Sequence, residues 1–140
     1  MKYLAMDLGT KTLGLATSDK LGIIASPFKL IKFATYEEAA EEVLKIISQE
    51  GIDELVLGLP KNMDNSLGFA SERSFKFKKL LESKCTLKIH LVDERLSTLE
   101  AENMLISEGV SRKKRKNLID GVSASVILDT HLRKVGNNNG

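Results

Sequence analysis

The chain lacks several features that would assign it to a secreted or membrane-bound class. Cys85 is its only cysteine, so no intramolecular disulfide can form, which is typical of a reducing compartment. No apolar run approaches the length of a membrane span. The start of the chain has no signal-peptide pattern, because Asp7 falls where the apolar core of such a peptide would run. These absences lead us to expect a cytoplasmic protein with no membrane partner.

Aromatic and histidine residues are also scarce. Aromatic residues make up 5% of the chain and tryptophan is absent, so a platform of rings that stacks the bases of a single strand is not indicated. His90 and His131 are too far apart in the sequence, and too unaccompanied, to suggest a metal site. We expect both histidines to have structural roles.

Charge of neither sign dominates, since the formal net charge is +2, and this value alone favours no class of partner. The distribution of charge is more informative. Residues 112–116 are an unbroken basic run, Arg-Lys-Lys-Arg-Lys, and Lys76, Lys78 and Lys79 form a second cluster. Most charged runs are simply solvated, but a positive patch near a metal site is also what a phosphate-backbone substrate requires.

Hydrophobic periodicity predicts three strands, followed by strands that alternate with helices. Capping pairs, Thr35 with Glu38 and Ser97 with Glu100, mark the starts of two helices, and Gly51 marks the end of the first. The predicted strands cover residues 3–8, 12–17, 23–31 (bent at Pro27), 54–59 and 87–93, and the predicted helices lie between 35 and 51, from 67 to 81, from 97 to 109 and from 117 to 134.

This order of elements, β-β-β-α-β-α-β-α-α, is typical of the ribonuclease H-like fold. An α/β protein of this kind has a mixed five-stranded sheet, in which an antiparallel meander of the first three strands is joined by parallel strands, with helices on both faces. With 140 residues, of which 42% are hydrophobic, the chain is long enough to bury one core. We expect one domain over residues 1–135 and a flexible tail over residues 136–140.

Acidic residues fall at the ends of the predicted elements, where side chains are better placed for chemistry than for packing. Asp7 ends the first strand, Asp93 and Glu94 end the fifth, and Asp120 lies at the start of the last helix. Neighbouring residues on a strand face opposite sides, so only one of the adjacent pair is expected in a shared site. Carboxylates brought together would bind a hard divalent cation, which favours metal-assisted phosphodiester hydrolysis. The alternative is that these acids only cap a turn and a helix or form surface ion pairs.

Polar and basic residues next to these acids are candidates for substrate contact. The absence of a side chain at Gly9 would let a phosphate approach the backbone, and the guanidinium of Arg95 could hold a phosphate oxygen. Asn62 could orient a substrate or water, or it could simply shape the turn. The full candidate set for substrate binding is Gly9, Thr10, Lys11, Lys61, Asn62, Arg95, Ser97, Arg112, Lys113 and Arg115.

Four motifs follow one another along the chain: Asp7-Leu-Gly-Thr-Lys with Gly14 and Ser18-Asp19; Gly58-Leu-Pro-Lys-Asn-Met-Asp64; Val92-Asp-Glu-Arg-Leu-Ser-Thr98 with Glu100-Ala-Glu102; and Ile119-Asp120 with Ala124 and Leu128. By these motifs the chain resembles the YqgF family of ribonuclease H-like proteins, also called RuvX, from Lys2 to about Arg133. Members are described as Holliday junction resolvases and as nucleases for the 5′ end of pre-16S ribosomal RNA.

The resemblance implies a metal-dependent nuclease that processes the 5′ end of pre-16S rRNA during ribosome biogenesis. By it, Asp7, Glu94 and Asp120 correspond to the catalytic, metal-binding acids, and the cofactor is Mg²⁺ or Mn²⁺. The family often has arginine where this chain has Thr12, so one possible phosphate contact is missing here. The basic loop at Arg112 is a possible substitute for that contact.

Other functions remain compatible with the same sequence. One is a Holliday junction resolvase acting on branched DNA, which would work as a homodimer, whereas an RNA nuclease could be a monomer. Another is a ribosome-assembly factor that binds nucleic acid without cutting it. A sugar kinase or actin-like ATPase also begins with an Asp-x-Gly-Thr turn, but such proteins need two domains of this kind and this chain has room for one.

Overall fold

The computed structural model describes residues 1–59, 69–93 and 124–135, and for residues 69–71 and 93 it describes the backbone only. The last of these ranges is helical and is called the terminal helix below. No helix in the described ranges is long and apolar enough to cross a bilayer. The other elements, in order, are β1 (Tyr3–Leu8), β2 (Thr12–Ser18), β3 (Ala25–Lys32), α1 (Tyr36–Glu50), β4 (Glu54–Leu59), α2 (Phe69–Lys84) and β5 (Ile89–Asp93).

The strands form one mixed sheet in the order β3-β2-β1-β4-β5. Strands β1, β2 and β3 pair antiparallel as a meander, and β4 pairs parallel with both β1 and β5. Parallel neighbours require a crossover, which α1 supplies between β3 and β4 and α2 supplies between β4 and β5. The predicted five-stranded mixed sheet is therefore confirmed, and β1 lies at its centre.

The pleat of β1 divides the core into two clusters. Leu4 and Met6 face one side of the sheet, where they pack with residues of α1 and α2. Tyr3 and Ala5 face the other side, where they pack with the terminal helix. This is the alternation predicted for the first strand, and it confirms that helices lie on both faces of the sheet.

Helix α1 has the predicted caps, with one difference at its start. The Oγ1 atom of Thr35 accepts a hydrogen bond from the N–H of Glu38 at 3.2 Å. The Glu38 carboxylate reaches back one residue further than in a standard capping box, because its Oε2 accepts from the N–H of Ala34 at 3.0 Å. Gly51 ends the helix in the left-handed conformation, with φ of 64°, and its N–H donates to the carbonyl of Ile47.

Strand β3 begins at Ala25, not at residue 23 as predicted. The reason is the side chain of Asp19, whose Oδ1 accepts hydrogen bonds from the N–H groups of Ile23 and Ile24 at 2.7 and 3.0 Å. These backbone donors are therefore used in the turn and are not available to the sheet. The β2–β3 register shifts at Pro27, the position at which the bend was predicted.

The remaining predicted bounds differ by small amounts or cannot be compared. Strand β2 extends one residue further than predicted, to Ser18, and β5 begins at Ile89, two residues later than predicted. Helix α2 spans Phe69–Lys84, where residues 67 to 81 were predicted. The helix predicted at 97–109 and the first residues of the one predicted at 117–134 lie outside the described residues.

The terminal helix runs antiparallel to β1, so that its last turns lie at the start of that strand. The ring of His131, near the end of the helix, lies 5.0 Å from the ring of Tyr3, which begins β1. At the other end of the helix, Ala124 is fully buried in the cluster that contains Ala5 and Ala16. Small side chains at these positions let the helix approach the sheet closely. Because the last turns of the helix lie at the start of β1, its first described turn lies nearer the carboxyl end of that strand.

His90 and His131 meet in space, and the view that they are unaccompanied is wrong. Their ring centroids are 4.3 Å apart, and Nε2 of His90 lies 2.7 Å from Oε1 of Glu54. The side chain of His131 is buried, and its Nε2 has no hydrogen-bond partner among the described residues. Burial of the ring, reinforced by the charge of His90, lowers the pKa of His131 to about 4.

This histidine should make the protein less stable in mild acid. Between its ordinary pKa of 6.5 and its folded pKa of about 4, the unfolded chain binds a proton that the folded chain does not. The free energy of unfolding is therefore unaffected by protonation of this histidine above pH 6.5, and it decreases as the pH falls from 6.5 to about 4. We expect His131→Phe, which keeps a ring against Tyr3, to lose less unfolding free energy than wild type between pH 7.5 and pH 4.5 in urea titrations. Equal losses in the two proteins would contradict this assignment.

Candidate active site

Asp7 lies near the carboxyl end of β1, on the face of the sheet that the terminal helix covers. It follows Tyr3 and Ala5 at intervals of two residues, and both of these belong to the cluster beneath that helix. The residue is partly exposed, whereas Leu4, Ala5 and Met6 are fully buried. The central strand thus carries a carboxylate from the core to an accessible edge.

Glycine occupies the positions beside Asp7 on both neighbouring strands. In β2, Gly14 is its ladder partner, and in β4, Gly58 follows Leu57, the partner of Met6. Facing side chains on adjacent strands have their Cβ atoms about 4.5–5.5 Å apart, so any side chain at these glycines would stand next to the carboxylate. The sheet therefore leaves lateral room for a group bound to Asp7. Both glycines stand in the motifs quoted above, but sequence reasoning gave them no role in the site.

The β1–β2 turn holds the predicted contacts Gly9, Thr10 and Lys11. The N–H of Gly9 donates to the carbonyl of Thr12 at 2.8 Å, and Phe33 N–H donates to the carbonyl of Lys11 at 3.0 Å. Thr10 and Lys11 are exposed, at the same end of the sheet as Asp7. A turn tied to both β2 and β3 is a rigid support for these side chains.

Gly9 is required by its own hairpin. A Cβ atom at this position would lie 3.0 Å from Oγ1 and 3.3 Å from the carbonyl oxygen of Thr12. Its fit to Thr12 explains the glycine without any ligand. The expectation that it lets a phosphate approach the backbone stays a prediction.

The register of β5 separates the two faces at the position of the second acid. Val92 packs against the terminal-helix cluster, and Ile89 packs against the opposite cluster. Asp93 occupies the ladder position opposite Leu59, whose side chain is on the face of α1 and α2 by the alternation of β4. Even-numbered positions of β5 therefore share the face of Asp7.

Most of the remaining predicted site lies outside the described residues. Within the described ranges, no group of three or more His, Cys, Asp and Glu side chains could hold a metal ion. The structure therefore places Asp7 and the β1–β2 turn together, and the candidates outside its described ranges are Lys61, Asn62, Glu94, Arg95, Ser97, Arg112, Lys113, Arg115 and Asp120.

The fold is shared with solved nucleases. *Thermus thermophilus* RuvC in complex with a Holliday junction substrate aligns with a TM-score of 0.57 over 91% of this chain and 91% of its own, at 12% identity. The large terminase nuclease of phage G20c aligns with a TM-score of 0.58 over 94% of this chain and 81% of its own, at 9% identity. The protein therefore has the ribonuclease H-like fold of the RuvC-like nucleases.

The family follows from sequence comparison. The model for RuvX, described as Holliday junction resolvase, matches residues 1–134. A *Geobacillus* sp. (strain WCH70) protein named "Putative pre-16S rRNA nuclease" is 49% identical over 136 residues, which cover 94% of this chain and 97% of that protein. A *Bacillus pumilus* (strain SAFR-032) protein of the same name is 46% identical over 134 residues, with the same shares covered. The chain belongs to the RuvX family, as its motifs indicated.

The fit between Gly9 and Thr12 can be tested by a double-mutant cycle. Gly9→Ala should destabilise the protein by about 1–3 kcal/mol, because the added methyl group meets the Thr12 hydroxyl in a tight turn. In a Thr12→Ala background the same change should cost clearly less, since the hydroxyl oxygen is gone. Unfolding free energies from urea titration of the four proteins give the coupling. An equal cost in both backgrounds would show that the Thr12 hydroxyl does not constrain this position and would leave only the contact with the Thr12 carbonyl oxygen.

Proposed function

We propose that this protein is a divalent-metal-dependent nuclease that cleaves structured RNA, with the 5′ end of pre-16S rRNA as its substrate. The observation that carries the proposal is the place of Asp7, at the open end of the central strand between two glycine positions. Relatives that align with nearly the whole chain carry the name "Putative pre-16S rRNA nuclease", and this name supports the proposed substrate.

The direction of the terminal helix supports Asp120 as a partner of Asp7. The end of this helix packs at the start of β1, so its beginning points to the end of β1 where Asp7 lies. Asp120 precedes Ala124 by four residues, a rise of about 6 Å if the chain continues as a helix. Such a continuation would carry the second carboxylate beyond the covered part of the sheet, towards the first.

The register of β5 supports Glu94 over Asp93 as the third acid. Even-numbered positions of this strand share the face of Asp7, as Val92 shows. If the alternation extends by one residue, Glu94 falls on that face and Asp93 on the other. Sequence spacing alone did not distinguish Asp93 from Glu94, and the register of β5 favours Glu94.

Three carboxylates are a donor set that fits a hard cation, Mg²⁺ or Mn²⁺. When bound, such ions activate a water nucleophile and stabilise the leaving oxygen of a phosphodiester. We propose that Asp7 lies between the two other acids and that Glu94 and Asp120 each hold one side of the site. Asp7 is attached to the rigid centre of the sheet, so it would fix the position of the reacting phosphate.

Basic and polar residues around this end of the sheet would hold the substrate backbone. Thr10 and Lys11 lie exposed in a turn tied to β2 and β3. We propose the same role for the candidate residues that lie outside the described ranges. These are Lys61, Asn62, Arg95, Ser97, Arg112, Lys113 and Arg115.

The second candidate is resolution of branched DNA, which the description of the matching family favours. The *T. thermophilus* RuvC structure was determined with a Holliday junction substrate. Symmetric cutting of such a junction would need a two-fold homodimer, whereas RNA processing can be done by a monomer.

We further propose that residues 1–135 act as one nuclease domain, followed by a flexible tail.

Asp7→Asn should abolish metal-dependent cleavage and leave the fold intact. Asparagine keeps the shape of the side chain but loses the charge that holds a hard cation. Removing a residue that hydrogen-bonds to a metal ligand typically lowers metal affinity or activity by about 10–100-fold. Removing a ligand itself should therefore lower the rate of cleavage by at least about 100-fold. Cleavage of a pre-16S 5′-leader RNA and of a four-way DNA junction, each with Mg²⁺ and with Mn²⁺, would be measured at matched thermal stability.

Asp129→Asn is the control for this experiment. It removes a carboxylate that pairs with Arg133 at 2.8 Å on the exposed side of the terminal helix, and cleavage should be unchanged. Wild-type turnover in Asp7→Asn would remove that residue from the mechanism. Cleavage of only one of the two substrates by the wild type would decide between RNA and branched DNA.

The two adjacent acids should differ in their effect on turnover. Glu94→Gln should reduce cleavage far more than Asp93→Asn, because the pleat of β5 places alternate positions on opposite faces. Single-turnover rates under saturating metal give the comparison, with circular dichroism to confirm that both variants fold. The reverse order of rates would mean that the strand bulges after Val92.

A further inference from the structure

The face of β3 next to Asp7 is the part of the sheet from which more can be inferred. Leu30 pairs with Gly14, and Gly14 pairs with Asp7, so these three residues form one row across β3, β2 and β1. Lys32 pairs with Thr12, two positions further along the strands. Both β3 residues alternate with Ile31, which is buried on the opposite face, so they lie on the face of Asp7.

This face of β3 is open in the part of the chain that the structure describes. Leu30 is 40% exposed, although it is a large apolar residue, and Lys32 is exposed beside it. The cluster beneath the terminal helix includes Ala5 and Ala16, which are nearer the start of β1, and it does not include Leu30. The row through Asp7 therefore emerges from under the helix and continues onto an uncovered edge strand.

The distances fit a polymer that passes over Asp7. Adjacent strands are about 4.8 Å apart, and each residue advances a strand by about 3.3 Å. Lys32 lies two strands from Asp7 and two residues beyond its row, which puts the two Cα atoms about 12 Å apart. A lysine side chain at that distance can reach a phosphate that neighbours the one at Asp7.

Charge at the β3 edge of the sheet favours a polyanion on the face of Asp7. Between residues 8 and 34 the only acidic residue is Asp19, whose carboxylate is engaged in the turn before β3. Of the four lysines in this segment, Lys32 lies on the face of Asp7, whereas Lys29 lies on the side of α1. On the opposite face, α1 exposes a row of glutamates in its first two turns, Glu37, Glu38 and Glu41. A phosphodiester backbone would be repelled by these glutamates, whereas Lys32 supplies a cation on the face of Asp7.

We propose that Leu30 and Lys32 form a substrate shelf for the nucleic-acid strand that is cut at Asp7. The ammonium group of Lys32 binds a backbone phosphate that flanks the scissile one, and Leu30 packs against the sugar of the same strand. The proposal rests on the proposed role of Asp7 and adds the side from which the substrate approaches. It also supplies a basic contact next to Thr12, at the end of the sheet where this chain lacks the family's arginine.

Lys29 provides a matched control within the same strand. It is also an exposed lysine of β3, but it pairs with Leu15 and so faces the side of α1. Both lysines, and Leu30 between them, border the groove at the edge of β3 and α1, which Glu38 and Glu41 also line. Lys29→Gln and Lys32→Gln therefore remove the same charge from the same strand, and only the second removes it from the face of Asp7.

The test measures binding of two fluorescein-labelled probes, a pre-16S 5′-leader RNA and a four-way DNA junction, across a potassium chloride series in EDTA. For Lys32→Gln, the slope of log affinity against log salt should fall by about 0.7–0.9, the value of one phosphate contact. Lys29→Gln should keep the wild-type slope. Leu30→Ser should weaken binding at every salt concentration without a change in slope, since it removes no charge.

Several outcomes would overturn the shelf. These are an unchanged slope in Lys32→Gln, equal changes in the two lysine variants, or no binding of either probe by the wild type. Cleavage assays of the same proteins with Mg²⁺ and Mn²⁺ separate this proposal from the nuclease itself. If binding depends on Lys32 but the wild type cleaves neither probe, the nuclease proposal is contradicted and the substrate shelf is supported. If the wild type cleaves a probe and Lys32→Gln cleaves it equally well, the substrate shelf is contradicted and the nuclease proposal is supported.

Discussion

The burial of β1 at the centre of the sheet is the constraint on which the rest of the structure depends. Leu4, Ala5 and Met6 are fully buried, and the strand is paired on both sides. Burying each large side chain contributes about 1.5–3 kcal/mol, so the pleat is held strongly in one register. A slip by one residue would exchange the two faces and turn Asp7 towards α1 and α2. The same packing that forms the core therefore determines where the carboxylate stands.

The terminal helix covers this core on the side of β1 that carries Tyr3 and Ala5. Its buried residues Ala124, Ile127 and Leu128 pack on the face that carries Asp7. At its far end, the rings of His131 and Tyr3 hold it against the start of β1. These apolar and ring contacts fix the direction of the described part of the helix along the sheet. Protonation of the buried His131 ring would therefore weaken the packing of this helix against β1.

The two faces of the sheet differ in the charges that lie beside β3. Exposed glutamates of α1 lie on one face, whereas Lys32 lies on the other, which is the face of Asp7. Exposed lysines of α2, Lys76 and Lys79, lie on the first face as well, so charge alone does not select one side of the whole sheet. The glycine positions that flank Asp7 and the exposed side chain of Leu30 are on the face of Asp7. The room beside Asp7 and the charge of Lys32 therefore both support the proposed approach of a substrate over β3.

The sequence by itself determined those features that depend on neighbouring residues. The alternation of β1, the caps of α1 at Thr35 and Gly51, and the position of Asp7 at a strand end were all predictable, because each follows from side chains a few residues apart. The motifs also identified the family, which the comparisons confirmed.

Only the tertiary structure decided the features that depend on long-range pairing. In the folded chain His90 lies next to His131. The carboxylate of Asp19 accepts hydrogen bonds from the backbone of residues 23 and 24, so β3 begins only at Ala25. The tertiary structure also aligned Leu30, Gly14 and Asp7 in one row, because strand order and register are set by the packing of the whole sheet. Residues that are 7 or 16 positions apart in sequence become neighbours there, and no local pattern in the chain records that proximity.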